Sequence, residues 1–136
     1  MRAILLTFCA VTLTMSLHAG EPSPIDRKLE DCIDRDPSTA GMVECTEAAF
    51  AAWDKELNAA YQALAKLLGP EQKGALKTAQ RQWLAWRDAE FAMLDAIYAT
   101  REGTMYLPMA AGDRMEIVKA RAVELRSYES LLRIDE

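Results

Sequence analysis

Apolar residues recur every three or four positions through most of the chain after residue 24. From Thr39 to Leu68 the repeating positions are Phe50, Trp53, Leu57, Tyr61, Leu64 and Leu68. From Met109 to Leu132 they are Met115, Val118, Ala122, Leu125, Tyr128 and Leu132. This spacing places apolar side chains on one face of an α-helix. Because strand-type alternation does not persist over any useful length, the pattern predicts an all-α protein.

The segment from about Pro70 to Thr100 predicts a third long helix with an unusual core stripe. The stripe advances in steps of four and three through Leu76, Gln80, Trp83, Arg87, Glu90 and Leu94. Leu84 and Phe91 are expected to widen it. Gln80 and Arg87 on this face require partners, because an unpaired buried polar group costs about 1–3 kcal/mol. A neighbouring helix has to supply them.

Helix breakers divide the chain into segments that should fold as the helices of a bundle. Gly69 and Pro70 leave almost no linker between the second and third helices, so these two should form an antiparallel hairpin, with Gly69 as a left-handed cap. A short helix is predicted from Ile25 to Ile33, and Asp36 or Ser38 can cap the helix that follows. The segment Arg101–Pro108 is predicted to be a loop. The expected fold is an antiparallel bundle of three long helices with a short N-terminal helix.

The first 20 residues have the features of a secretory signal peptide. Arg2 is followed by the apolar run Ala3 to Leu17 and by a small-residue cleavage pattern ending at Ala19. The run is shorter than the roughly 20 residues of a membrane span, although an uncleaved anchor is an alternative. We therefore expect a signal peptide over residues 1–20, a single domain over residues 21–136, no membrane span after cleavage, and a periplasmic or secreted location.

Charge and histidine content limit the functions of the exported domain. Removing residues 1–20 takes away Arg2 and no acid, so 15 Lys and Arg remain against 21 Asp and Glu, a net charge of −6. A chain of this charge is a poor nucleic-acid binder and favours cationic partners, unless the charge serves only solubility. Cleavage also removes His18, the single histidine. We expect no enzyme activity, no cofactor and no metal, although the 21 acids leave carboxylate metal sites open.

Cys32 and Cys45 are the two cysteines outside the leader. An even number in an exported chain predicts a disulfide, here one that pins the short helix to the second helix. It would contribute roughly 3 kcal/mol in the chain-entropy description. A metal site and two free thiols are the alternatives.

Positions equidistant from Gly69 should meet in an antiparallel hairpin, which gives a hypothesis for the polar groups. Asn58 and Gln80 are each eleven residues from Gly69 and are predicted to face each other. Arg87 is predicted to pair with a carboxylate, with Asp54 as the first candidate. These residues either fix the register of the hairpin or, with Trp83 and Trp86, line a recognition surface. Trp86 lies on the less apolar edge and is the better candidate for exposure.

The combined pattern resembles the LprI-type lysozyme inhibitor domain, a family of small exported bacterial helical proteins. The resemblance extends from Cys32 to about Met109. The residues that carry it are Cys32, Met42-Val-Glu-Cys45, Asp54, Leu57-Asn58, Tyr61, Leu76, Ala79-Gln80-Arg81, Trp83-Leu84 and Arg87-Asp88.

One departure from the family pattern concerns a second disulfide. The family pattern has a cysteine where this chain has Phe91, and a later cysteine near Ala111 or Gly112, where this chain has none. The loss of both halves indicates that apolar packing by Phe91 replaces the bridge, which leaves the Arg101–Pro108 loop less tethered.

The resemblance implies a protein that binds cationic lysozyme and blocks its cleft. Met105, Tyr106 and Leu107 would then be the projecting part of the loop, unless they fold back on the bundle as a lid. The alternative function is a periplasmic envelope or stress module that binds another protein or a peptide.

Overall fold

The computed structural model describes residues 22–134 and contains four α-helices. They are α1 (Pro24–Arg35), α2 (Thr39–Leu67), α3 (Pro70–Tyr98) and α4 (Tyr106–Leu132). The predicted fold class, all-α with three long helices and a short N-terminal one, is confirmed. None of the helices in this part of the chain contains an apolar stretch long enough to cross a membrane. The predicted signal peptide, residues 1–20, lies outside the described residues.

Serine side chains cap the N-termini of the first two helices. Ser23 Oγ accepts a hydrogen bond from the Asp26 backbone N–H at 3.1 Å, and Ser38 Oγ accepts one from the Gly41 N–H at 3.0 Å. These bonds satisfy N–H groups that have no partner within the helix. Of the two predicted caps for α2, Ser38 is therefore the cap, and the Asp36 carboxylate accepts the Ser38 backbone N–H at 3.1 Å.

Two boundary predictions are wrong. Gly69 has φ −74° and ψ 173°, so it is extended rather than left-handed, and it is the N-terminal cap of α3. Pro108 lies inside the first turn of α4. Backbone N–H groups in a first turn have no partner within the helix, so a proline loses no hydrogen bond there, and its fixed φ suits the helix. The connection between α3 and α4 is therefore shorter than Arg101–Pro108, and its positive-φ residue is Gly103 at φ 104°.

The core lies mainly between α2 and α4, which have the most extensive helix–helix contact. Ala60 on α2 and Val118, Ala122 and Leu125 on α4 have no exposed surface. Small side chains at facing positions let two helices approach closely, because the interaxial distance depends on the residues at the contact. The remaining buried core residues are Ala49, Trp53, Leu57, Leu64, Leu76 and Met115.

Helix α3 lies at the edge of this core, and Leu76 is its one buried residue. The predicted stripe from Leu76 to Leu94 is nevertheless its inward face, since all six of those positions are buried or half-buried. Phe91 also faces inward, and its ring centroid lies 6.2 Å from that of Phe50 on α2. Leu84 was expected to widen the stripe but is exposed, because it lies beyond the edge of the neighbouring helices.

Helix α1 is fixed to the bundle by a disulfide and by an ion pair. Cys32 and Cys45 are bonded, with Cα atoms 5.8 Å apart, as predicted. Lys119 Nζ on α4 lies 3.0 Å from the Asp26 carboxylate on α1, and 5.6 Å from the ring centroid of Trp53 on α2. Lys119 therefore links three helices by an ion pair and a cation–π contact.

We predict that Gly41→Ala destabilises the protein by about 1–3 kcal/mol, since a Cβ at this position would meet well-packed neighbours. That Cβ would lie 2.5 Å from the backbone oxygen of Asp36, in the turn before α2. The measurement is the free energy of unfolding in urea. The matched control is Gly74→Ala in α3, where no atom lies within 4 Å of the added Cβ. This control should gain up to about 1 kcal/mol from helix propensity, and equal effects of the two changes would contradict the packing at Gly41.

We also predict that Asp26 makes the free energy of unfolding depend on pH in the acidic range. Burial raises the pKa of the Asp26 carboxyl, but the hydrogen bond and charge of Lys119 and the hydrogen bonds of Ser23 outweigh burial, so the pKa lies below 3.8. The ionised carboxylate therefore favours the folded state at neutral pH, and this contribution is lost as the pH falls below 3.8 through the lowered native pKa. Asp26→Asn should cost about 1 kcal/mol at pH 7 and progressively less in acid.

Urea unfolding at several pH values checks this. Asp31→Asn is the matched control, because Asp31 is an exposed carboxylate on the same helix and forms no salt bridge with any described residue. A stability loss in Asp26→Asn that stays constant from pH 7 down to pH values well below 3.8 would show that the ion pair is not its source.

Candidate functional site

An apolar surface is exposed where α3 connects to α4. Met105 and Leu107 are 62% and 57% exposed, and Met109 is exposed one turn further along α4. We call these three residues the loop surface. Tyr106 is half-buried instead, and its ring centroid lies 6.5 Å from that of Tyr98 at the end of α3. Of the three residues predicted for this segment, Met105 and Leu107 are thus available for contact, and Tyr106 packs beneath them.

A groove lies beside Leu107, between the first half of α2 and the ends of α3 and α4. Its volume is about 590 Å³, and its wall is mainly apolar. The apolar residues of the wall are Val43, Phe50, Phe91, Leu107, Ala110 and Ala111. A second hollow of about 420 Å³ shares Val43, Glu47 and Leu107 with it. Leu107 therefore lines both hollows.

Carboxylates dominate the rim of this groove. Glu47 lines both hollows and Glu44 lines the smaller one. Neither forms a salt bridge with another residue in the range 22–134. Asp95 is compensated by an ion pair with Arg114. The rim thus has unneutralised negative charge next to an apolar wall, which suits a partner that has basic and apolar side chains close together.

Phe91 occupies the floor of the groove at one of the positions where the family pattern has a cysteine. Its ring packs against Phe50, and the guanidinium carbons of Arg87 and Arg114 lie 5.7 and 5.5 Å from its centroid. Ala111, near the other missing cysteine, lines the same groove. The predicted apolar packing of Phe91 is present, and it leaves the groove open on one side.

The polar residues of α2 and α3 do not pair as predicted. Asn58 is exposed, and its amide donates to the Asp54 backbone carbonyl at 2.8 Å. Gln80 Oε1 instead accepts a hydrogen bond from Arg121 Nε of α4 at 3.1 Å. Arg87 does pair with a carboxylate, but with Asp88 at 2.7 Å rather than with Asp54. The partners come from α4 or from the same helix, because α4 is the principal neighbour of α2.

Trp83 and Trp86 line a separate groove of about 650 Å³, which lies between α3 and α4, away from the two hollows at Leu107. Trp83 is half-buried, with the guanidinium carbons of Arg87 and Arg121 at 5.6 and 5.9 Å from its centroid. Trp86 is 50% exposed, as its position at the edge of the stripe indicated. Glu116 and Glu124 of α4 also line this groove.

Sequence reasoning missed Arg114 and Arg121, which join α4 to α3. Arg114 lies over Phe91, and Arg121 lies over Trp83 and binds Gln80. They are seven residues apart, two turns along one face of α4. This seven-residue spacing is visible in the sequence, but it does not identify the partners, because each arginine contacts a residue on another helix.

Three comparisons relate the chain to known proteins. A family model described as lysozyme inhibitor LprI matches residues 32–125. An uncharacterised protein of Rhizobium meliloti strain 1021 is 31% identical over 137 aligned positions, which cover 91% of this chain and 90% of the relative.

The chain is also similar to a crystal structure of an uncharacterised protein from Burkholderia thailandensis. The TM-score is 0.77 at 36% identity, and the match covers 82% of this chain. The chain corresponds to 56% of the length of that crystallised protein. With a family match over most of its length, the chain belongs to the lysozyme inhibitor LprI family.

Proposed function

We propose that this protein binds a lysozyme through the loop surface and the adjoining groove, and that it inhibits the enzyme by covering its cleft. The observation that carries the proposal is the exposed apolar side chain of Leu107, which lines the same hollow as the Glu44 and Glu47 carboxylates and lies between exposed Met105 and Met109 in the sequence. Family membership makes lysozyme the first partner to test.

The charges of the two proteins favour this encounter. Lysozymes are commonly basic, and they cleave glycosidic bonds with two carboxyl groups in a cleft. A binder with net charge −5 over the whole chain attracts such an enzyme at long range and raises the association rate. Once the proteins are in contact, buried apolar side chains supply most of the binding energy, since a few central residues dominate an interface. Leu107, which is exposed and lines both hollows, is the best-placed residue for that role.

We place the protein outside the cytoplasm, in the periplasm or secreted. Two features support this location: the predicted leader over residues 1–20, and the Cys32–Cys45 disulfide, because such bonds persist in oxidising compartments. The proposed activity needs a protein partner and no cofactor. Inhibition by binding also requires no nucleophile or general base from the inhibitor.

We predict that the purified protein slows the clearing of a cell-wall suspension by lysozyme of the C type or the G type. The variant Met105→Ser/Leu107→Ser should raise the inhibition constant by at least about tenfold, the effect of losing 1.4 kcal/mol or more of binding energy. Added salt should weaken inhibition mainly by slowing association, because the attraction is electrostatic.

The matched control is Val123→Ser, which removes an exposed apolar side chain of α4 away from the loop surface and should leave inhibition unchanged. No inhibition of either lysozyme at a micromolar excess would reject the proposed function. A peptide or envelope protein captured in its place would then favour the alternative function. Full inhibition by the double variant would instead reject the loop surface as the site.

A further inference from the structure

The outward side of α3 has a regular row of mostly small side chains that no described helix covers. Positions 78, 82, 85, 89, 92 and 96 follow steps of four and three, the spacing of a helix–helix seam. Four of them are alanines, and all six are exposed: Thr78, Gln82, Ala85, Ala89, Ala92 and Ala96. We call this row the outer face.

One edge of the outer face has large apolar side chains. Trp86, Met93 and Ile97 are 50%, 45% and 45% exposed. Ala79 lies seven residues before Trp86, on the same edge. An exposed tryptophan, methionine and isoleucine therefore lie along one helix edge, with Glu90 between the first two, and exposed apolar side chains grouped in this way commonly mark interaction sites. Large side chains occupy the second half of this edge, and small ones occupy the first half.

The opposite edge is charged, and the sign of the charge reverses at its middle. Lys77 and Arg81 come first, and Asp88 and Asp95 follow in the same row. The helix dipole favours the reverse order, with acids near the N-terminus and bases near the C-terminus. Asp88 and Asp95 form ion pairs with Arg87 and Arg114, yet their side chains remain 65% and 60% exposed. Both can therefore accept a further cation.

We propose that the outer face binds a second copy of this chain, with the two α3 helices antiparallel and a two-fold axis beside Ala85 and Trp86. In a two-fold dimer of antiparallel helices each edge meets the same edge of the other copy. Trp86 then lies against Trp86 of the second copy, and Ala79 lies against Met93. Arg81 comes close to Asp88, and Lys77 to Asp95.

In this arrangement the α3 surfaces of the two copies are complementary in both side-chain size and charge. Each large apolar residue of one copy meets a small residue or the symmetry-related indole, and each base meets an acid. The parallel arrangement would instead place the charged edge of each copy against the apolar edge of the other, so that Arg81 and Asp88 would gain no partner of opposite charge. The alanines of the outer face let the two helix backbones approach closely. Self-complementarity of this kind is what an interface between identical subunits requires.

The dimer is independent of the proposed function and leaves the loop surface free. The α3 helix ends at Tyr98, about 19 Å along the helix from the axis at a rise of 1.5 Å per residue. The two loop surfaces would therefore lie at opposite ends of the dimer, and each could bind a partner.

Sedimentation of the purified protein tests the dimer. We expect the mass to rise from monomer to dimer between about 1 μM and 1 mM, the range of weak to moderate association. Ala85→Arg, in the middle of the outer face, should raise the dissociation constant at least about tenfold. Ala59→Arg, an exposed alanine of α2, is the matched control and should not change it. A monomer at every concentration, or equal effects of the two variants, would overturn the proposal.

Cross-linking tests the orientation of the helices. In the proposed dimer Ala79 and its own copy are about 20 Å apart along the helix, too far for a disulfide, which needs Cα atoms within about 7 Å. Ala79→Cys and Met93→Cys should therefore each cross-link poorly alone and efficiently when the two proteins are mixed, whereas Trp86→Cys should cross-link with itself. Efficient self-cross-linking of Ala79→Cys would reject this arrangement. Circular dichroism verifies that each variant is folded.

Discussion

The close packing of α2 against α4 is the contact on which the rest of the molecule depends. Ala60, Val118, Ala122 and Leu125 have no exposed surface, so this seam excludes water along its middle. The two helices are separated in sequence by all of α3, and the chain gains this burial only when α4 returns to α2. The disulfide and Lys119 fix α1 to this seam.

Once α2 and α4 are paired, α3 can occupy only the edge of the bundle. Leu76 enters the core, and Trp83 and Phe91 pack against its border. Arg114 and Arg121 of α4 lie over the rings of Phe91 and Trp83, so aromatic and cationic side chains hold much of the α3–α4 contact. An edge helix held in this way has one inward face and leaves its other sides in water. Both grooves and the outer face are consequences of this position.

The end of the bundle near Leu107 combines apolar contact area with negative charge. Phe91 packs where the family pattern has a cysteine, and it contacts Phe50 without closing the groove above it. Met105 and Leu107 remain exposed because α4 begins at Tyr106 and Tyr106 itself packs against Tyr98. In the proposed function, the apolar side chains would provide binding energy and the carboxylates of Glu44 and Glu47 would orient the approach of a basic protein.

The sequence by itself determined the helices, since apolar periodicity and breakers such as Gly69 and Pro70 act locally. It also determined the inward stripe of α3, and it favoured the Cys32–Cys45 pair, which is thirteen residues apart. It did not determine which helix supplies each polar partner. Gln80 binds Arg121, 41 residues away, rather than Asn58. Symmetry about the turn predicts neighbours within a hairpin, but it cannot show that a third helix competes for the same face. Only the tertiary structure decided that α4 supplies the partner of Gln80, because burial depends on how all the helices pack together.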